Sequence, residues 1–175
     1  MIYLKITDIK HFMNMLLIDK AFDQFLLSDA SISMASTYII DGHINKTFYS
    51  NEELENLKAE AQSEGRIFSE KMQRFSQVKP ICLNIIKGKK TPSSFKFVFC
   101  LSDENTEKFL NTFESSFTPN DIGNLSLNIK YDSNGLFATT AVSLNIFSMD
   151  KSINAAWDNM VKKFFISNGI NFEEM

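Results

Sequence analysis

The sequence predicts an α+β fold, in which antiparallel β-sheets carry helices packed on one face. Runs that alternate apolar and polar residues are typical of half-buried strands, and apolar residues spaced by three and four are typical of amphipathic helices. Asp41-Gly42 and Asn134-Gly135 each lie between strand-like runs, where an Asx-Gly pair favours a hairpin turn. The chain of 175 residues has the length of one domain, 1–175, with enough core to need no metal or disulfide.

The first half begins with a strand at residues 2–6 and a helix capped by Thr7 or Asp8. The helix carries an apolar stripe at positions i, i+3, i+4, i+7 and i+8. The stripe consists of Ile9, Phe12, Met13, Leu16 and Leu17. Asp41-Gly42 then predicts the turn of a hairpin.

A second helix is predicted from Ser50 or Asn51, with glutamates in its first turn. Gly65 interrupts this helix, and the helical spacing of apolar residues resumes as far as Val78. The residues that resume it are Phe68, Met72 and Phe75. Lys79-Pro80 ends the segment, because the residue before a proline avoids the helical conformation.

The second half repeats this order. "ICLNIIK" (81–87) and "FKFVFCL" (95–101) are predicted strands, joined at a hairpin tip from Gly88 to Ser94. Asp103 caps a helix through Phe113, and a long hairpin follows with its turn at Asn134-Gly135. A closing helix runs from about Asp150 to Asn168-Gly169, where a glycine favours the helix end.

The two halves, about 1–78 and about 79–175, therefore share one plan. Each is a strand that leads into an apolar-striped helix and then a hairpin with an Asx-Gly turn. The pattern predicts two pseudo-repeated strand–helix–hairpin units. Residue identity between the halves is low. The alternative interpretation is therefore an α+β domain that uses similar units twice without a duplication.

Four segments carry a resemblance to a known family. They are "ITDIKHFMNMLL", "VKPICLNIIKGKKTPSSFKFVF", "LNIKYDSNGLFATTAVSLNIFSMDKS" and "AAWDNMV". The chain resembles an uncharacterised bacterial family of unknown function, and this resemblance implies no activity. The order of elements also resembles one domain of the DNA sliding clamps, an analogy of topology that implies assembly into an oligomer.

The segment "GKKT" looks like the end of a nucleotide-binding P-loop, but its surroundings exclude that interpretation. The motif requires a first glycine where Leu83 stands, and a serine or threonine where Lys90 stands. A strand-like run follows it, whereas a P-loop leads into a helix.

Charge is distributed unevenly along the chain. From Lys71 to Ser102 there are seven basic residues and no acidic ones, whereas the remainder carries 11 basic and 21 acidic residues. The seven are Lys71, Arg74, Lys79, Lys87, Lys89, Lys90 and Lys96. Phosphates favour clustered cations, so this stretch is a candidate contact for nucleic acid or an acidic protein. Alternatively, lysines at a hairpin tip keep it solvated and its edges unpaired.

Residues for catalysis or metal binding are sparse. The two histidines, His11 and His43, lie in a helix and at a turn, and Cys82 and Cys100 lie in apolar runs typical of buried positions. No H-x-x-x-H, C-x-x-C or G-x-S-x-G motif is present. The sequence therefore predicts no catalytic residue, no cofactor and no metal.

These observations favour a non-catalytic binding or interaction module, with an anionic partner contacted by the 71–102 region. A DNA-associated, clamp-like protein acting as an oligomer is one alternative, and an enzyme with an unfamiliar site is another. No apolar run approaches the ~18 residues of a membrane span, and the N-terminus has no signal-peptide pattern. We therefore expect a cytoplasmic protein without membrane contact. The sequence is compatible with a homo-oligomer.

Overall fold

Seven strands and five helices follow one another along the chain, and the computed structural model describes all residues from 1 to 175. The strands are β1 (Tyr3–Ile6), β2 (Leu26–Ser33), β3 (Thr37–Asp41), β4 (Ser94–Cys100), β5 (Ile122–Asp132), β6 (Gly135–Leu144) and β7 (Phe172–Glu174). The helices are α1 (Ile9–Leu17), α2 (Asn51–Ser63), α3 (Phe75–Ile86), α4 (Asp103–Leu110) and α5 (Ser152–Ser167). The predicted α+β class is confirmed.

The seven strands form one antiparallel sheet in the order β3-β2-β4-β5-β6-β1-β7. Strands from both predicted halves mix in this sheet, because β1 pairs with β6 and β2 pairs with β4. In the second half β4 pairs with the first strand of its own hairpin, whereas in the first half β1 lies far from its hairpin. The predicted duplication is not confirmed.

The core lies on one face of the sheet, beneath the helices. In β4 the side chains of Phe95, Phe97 and Phe99 are buried on this face, while Lys96 and Val98 alternate to the other face. Helices α1, α3, α4 and α5 add their apolar stripes, including the fully buried Trp157. The opposite face of the sheet is largely uncovered, and α2 contributes one buried residue, Ala61, outside the main core.

Several local signals act as predicted. The Asp8 side chain accepts a hydrogen bond from the backbone N–H of His11 and caps α1, and Ser50 and Glu53 form a reciprocal capping box at α2. Gly169 ends α5 with φ +66°, a conformation that glycine adopts without strain. The two-residue turn of the β5–β6 hairpin consists of Ser133 and Asn134, one position earlier than the predicted Asn134-Gly135. Gly135 begins β6 with φ +126°.

The predicted strand at 81–87 is wrong, because this segment is the second half of α3. A short apolar run is compatible with either a strand or a buried helix. Here Phe75, Val78 and Cys82 recur at helical spacing and are buried in the core. Their burial outweighs the break expected from Pro80, which lies inside the helix. Residues 87–93 are therefore a helix-to-strand loop rather than a hairpin tip.

The predicted continuation of α2 to Val78 is also wrong. The helix ends at Ser63, and Gly65 follows with φ +70°. Residues 66–74 then have no helical turn, so the predicted helical stripe of Phe68, Met72 and Phe75 does not exist. Glycine adopts this left-handed conformation without strain, and a residue in that conformation commonly ends a helix. Gly65 therefore follows the end of α2 and does not interrupt a longer helix.

Two further boundaries differ from the prediction. The β2–β3 hairpin turns around Met34 to Ser36, so the predicted turn at Asp41-Gly42 is wrong: Asp41 is the last residue of β3 and Gly42 follows it. Gly42 is required by packing, because a Cβ there would lie 1.9 Å from the carbonyl oxygen of Leu27. Helix α4 has Ser102 rather than Asp103 as its N-cap and ends at Leu110.

Candidate anion-binding groove

Two of the seven predicted basic residues, Arg74 and Lys79, form ion pairs within the protein. Arg74 is 6% exposed, forms an ion pair with Glu104, and donates a hydrogen bond of 3.0 Å to the side-chain oxygen of Gln24. The Lys79 ammonium group donates to the backbone oxygen of Asp19 at 2.8 Å and pairs with the Asp23 carboxylate. Neither cation is free to bind an external anion.

Two more of the seven basic residues, Lys71 and Lys96, lie apart from each other. Lys96 projects from the uncovered face of the sheet, where its ammonium group lies 3.4 Å from the Asp29 carboxylate. Lys71 is exposed and shares a polar depression with Asp103 and Glu107. Nearby carboxylates weaken the attraction of either lysine for an external anion.

Lys87, Lys89 and Lys90 remain together in the loop between α3 and β4. All three are exposed, and none lies within 4.0 Å of a carboxylate oxygen. The predicted basic stretch thus separates into internal, dispersed and clustered cations. Only the clustered three retain the arrangement that the charge pattern suggested.

The backbone holds this loop against the end of the sheet. The N–H of Lys87 donates to the carbonyl of Leu83 at 2.8 Å, which closes the last turn of α3. Gly88 follows with φ +140°, and Pro92 is buried. The N–H of Ser93 then donates to the carbonyl of Ser33, at the end of β2, at 2.9 Å. Both ends of the loop are therefore fixed.

Beside the loop lies a groove of about 480 Å³ between α1, α3 and the sheet. Twelve residues line it, and none of them is acidic. The apolar side chains are Ile9, Met13, Leu17, Ile86, Phe95 and Tyr131, with Pro92 beside them. Phe95 and Tyr131 are cross-strand neighbours whose stacked rings lie 5.1 Å apart between centroids.

Three lysines line this groove: Lys87 and Lys90 from the loop and Lys10 from α1. Lys10 is exposed and forms no ion pair. The site therefore combines an apolar floor with three unpaired cations. Such a groove can hold the hydrocarbon part of a ligand while ammonium groups contact its anionic head.

Sequence reasoning missed Lys10, because it lies 61 residues before the basic stretch begins. It occupies the position i−3 to Met13 and i−7 to Leu17 on α1, so all three share one side of the helix. Three of the five residues of the predicted α1 stripe therefore line the groove, while the other two, Phe12 and Leu16, are buried in the core. The feature of the sequence that could have indicated this role is the position of Lys10, directly after the first residue of the apolar stripe.

A second depression, of about 500 Å³, lies along α1 and shares Lys10, Met13 and Leu17 with the groove. Asp8 and His11 also line it. The Nε2 atom of His11 lies 3.1 Å from the carbonyl oxygen of Asn168, which ties α1 to the end of α5. His11 thus has a structural contact at this position.

The other residues considered for chemistry lie elsewhere. Burial raises the pKa of the Cys82 thiol to about 11 and also raises the pKa of Cys100, whose Sγ lies 3.7 Å from the Ser126 hydroxyl. His43 lies on the surface with its Nδ1 atom 2.6 Å from an Asp41 oxygen. Hydrogen bonds from the His43 backbone and side chain lower the pKa of Asp41. No three His, Cys, Asp or Glu side chains are grouped to hold a metal ion.

Fold and groove together define an α+β protein with one antiparallel sheet, uncovered on one face, and a lysine-rimmed apolar groove at its helical side. The chain belongs to a family of unknown function (DUF5721), whose model matches residues 15–173. Neither a curated protein nor a solved structure matches the chain. The clamp analogy is thus not confirmed. No helix has both the length and the apolar character to cross a membrane.

Proposed function

We propose that this protein is a non-catalytic binding module for a small amphipathic anion, held in the groove between α1 and the 87–93 loop. The observation that carries the proposal is the pairing of an apolar floor with Lys10, Lys87 and Lys90 and no acidic lining residue. Three like charges around one groove repel each other when it is empty, and an anion relieves that repulsion. The composition of the groove indicates the class of ligand. The ligand has an acyl or aryl body, which contacts the apolar floor, and a carboxylate or phosphate head, which contacts the lysines.

The dimensions of the groove support this class. Its volume of about 480 Å³ lies in the ordinary range of small-molecule sites. Each methylene group that the floor removes from water contributes about 0.8 kcal/mol. The exposed lysines add less per contact, because water and salt screen them. We therefore expect the apolar body to supply affinity and the lysines to select the sign of the charge.

Two further parts of the proposal concern context. We propose that residues 1–175 act as one domain, supported by a core cluster that joins residues from Leu4 to Ile170. We also propose a cytoplasmic location, supported by Cys82 and Cys100, which are both buried and unpaired.

The test is calorimetric titration with dodecyl phosphate and with laurate below their micellar concentrations. We expect both anions to bind and dodecyltrimethylammonium, with the same chain and a positive head, to bind at least about tenfold more weakly. The variant Lys10→Ala/Lys87→Ala/Lys90→Ala should weaken both anions by roughly tenfold or more. The matched control is Lys108→Ala/Lys151→Ala/Lys163→Ala, which removes the same charge from exposed, unpaired lysines elsewhere.

Two results would overturn the proposal: no binding of either anion, or equal binding of the cationic analogue. The DNA-associated alternative relies on Lys87, Lys89 and Lys90 in the same loop, so a DNA duplex is titrated at two salt concentrations in parallel. Salt-sensitive duplex binding that weakens when these three lysines become alanine, with no binding of dodecyl phosphate, would favour that alternative.

A further inference from the structure

Strand β3 forms one edge of the sheet, and its outer side has no partner. Its five residues pair with β2 alone. None of the backbone hydrogen bonds outside the regular elements involves residues 37–41. The outward N–H and C=O groups of β3 are therefore available to another strand.

The hydrogen-bond pattern identifies the residues that carry those groups. The N–H of Gly42 donates to the carbonyl of Ser28 at 2.9 Å, and the N–H of Met34 donates to the carbonyl of Ser36 at 3.0 Å. Hydrogen-bonded pairs alternate with non-hydrogen-bonded pairs along an antiparallel ladder. In the observed register, Tyr38 and Ile40 thus direct their backbone groups toward β2. The remaining three residues, Thr37, Ile39 and Asp41, direct theirs outward.

The side chains of β3 do not protect this edge. Ile39 is 80% exposed and Tyr38 is 46% exposed, and the strand contains no lysine, proline or bulge. Edge strands are ordinarily protected from association by such features. The opposite edge, β7, has only three residues, and two of them are Glu173 and Glu174. The two edges therefore differ in length and in charge.

We propose that β3 pairs antiparallel with β3 of a second copy of this chain, about a two-fold axis at Ile39. In this register, Ile39 faces its own counterpart and both exchange backbone hydrogen bonds. Thr37 faces Asp41 of the second copy, with outward backbone groups on both, and the threonine hydroxyl can donate to that carboxylate. Tyr38 lies beside Ile40 of the second copy. The strand is thus complementary to itself at every position, and the sheet continues across two copies.

Other pairings satisfy these groups less well. Joining β3 to β7 of a second copy would place Glu173 and Glu174 beside a strand with no basic residue. Joining β7 to itself would bring like charges together. The two-fold β3 pairing avoids both, and it leaves the groove free because no β3 residue lines it. Ligand binding and self-association are therefore independent properties.

The first test is sedimentation velocity from low micromolar to near-millimolar concentration. We expect a reversible monomer–dimer equilibrium. Ile39→Lys places two ammonium groups opposite each other at the axis and should raise the dimer dissociation constant at least about tenfold. Ile166→Lys is the matched control, because Ile166 is also a well-exposed isoleucine, at 68% exposure, but lies on α5. Circular dichroism of both variants shows whether the fold is retained.

The second test is cross-linking. Hydrogen-bonded antiparallel neighbours have Cα atoms about 5.5 Å apart, within the range that a disulfide spans. Ile39→Cys should therefore form a covalent dimer under mild oxidation, whereas Ile166→Cys should not. The native cysteines are buried and should not interfere. A monomer at every concentration, or a dimer that Ile39→Lys leaves unchanged, would overturn the proposal.

Discussion

Cys82 lies on α3 with no exposed surface, and its thiol is enclosed by the core. Burial disfavours the thiolate and raises the pKa to about 11 from the ordinary value near 9. A nucleophilic cysteine requires the opposite setting, exposed and electropositive, in which the thiolate forms near neutral pH. At the scale of single residues, this cysteine therefore serves packing.

This raised pKa predicts how stability changes in alkaline solution. Between about pH 9 and 11 the unfolded chain loses the Cys82 proton while the folded chain keeps it. The unfolded state then binds fewer protons, so this contribution to stability is present below pH 9 and is lost as the pH rises toward 11. Urea denaturation across this range should show a shallower decline for Cys82→Ala than for the unchanged chain. Identical pH slopes for the two proteins would contradict the assignment.

Arg74 and Lys79 show why single charges are hard to assign from a pattern. Each lies in the acid-free stretch, yet Glu104 and Asp23, their partners, are 30 and 56 residues away in sequence. Arg74 is buried, so removing Glu104 would leave its charge uncompensated, which is strongly unfavourable, whereas the Lys79–Asp23 pair is partly exposed. Arg74 and Lys79 each connect parts of the chain that are distant in sequence. The sequence pattern contained no sign of that role.

At the scale of elements, α3 is the segment whose conformation depends most on its surroundings. Pro80 is its sixth residue, so the carbonyl of Ser76 lacks the donor that a helix would supply. The buried side chains Phe75, Val78 and Cys82 hold the segment in place. The same twelve residues, without this packing, contain an evident helix breaker.

Replacing Pro80 by alanine tests this interpretation. Pro80 is exposed, so the change sacrifices little burial, and alanine restores the backbone donor. We expect Pro80→Ala to stabilise the protein by about 1–3 kcal/mol in urea denaturation. Pro119→Ala is the control, because Pro119 occupies the first position of a 3₁₀ turn, where its fixed φ is suitable. A destabilised Pro80→Ala variant would show that the ring itself packs usefully.

The core joins all the layers of the molecule through aromatic contacts. Phe99 lies on central strand β4, is fully buried, and contacts four other phenylalanine rings with centroids 4.9 to 5.8 Å away. Those rings belong to Phe22, Phe25, Phe75 and Phe97. The loop after α1, the start of α3 and the sheet thus meet at one side chain.

At the scale of the whole molecule, Phe99→Ala should reduce the free energy of unfolding by about 3–5 kcal/mol, since it removes core contacts and leaves a cavity. The matched control is Phe147→Ala, in which the ring is 93% exposed and the change should stay within about 0.5 kcal/mol. Thermal denaturation followed by circular dichroism measures both. Similar losses for the two variants would show that Phe147 is covered in solution, by a partner or a second copy.

The sequence predicted much of the fold and little of the groove. The α+β class, the caps of α1 and α2, the β5–β6 hairpin and the end of α5 follow from residues within a few positions of one another. The loop lysines Lys87, Lys89 and Lys90 were predicted as a cationic cluster, and they are exposed and unpaired. Lys10 and the aromatic floor were not predicted, because their proximity arises from packing between separate elements.

The sequence by itself determined part of the local geometry of this protein: the alternation of buried and exposed residues in β4, the caps of α1 and α2, and the glycine that ends α5. These outcomes depend on hydrogen bonds and side-chain spacing over about four residues. Only the tertiary structure decided that α3 is a helix, that β1 lies beside β6, that Arg74 and Lys79 have ion-pair partners within the protein, and that Lys10 joins the loop lysines. Those outcomes depend on burial and charge partners contributed by distant parts of the chain, which no local pattern contains.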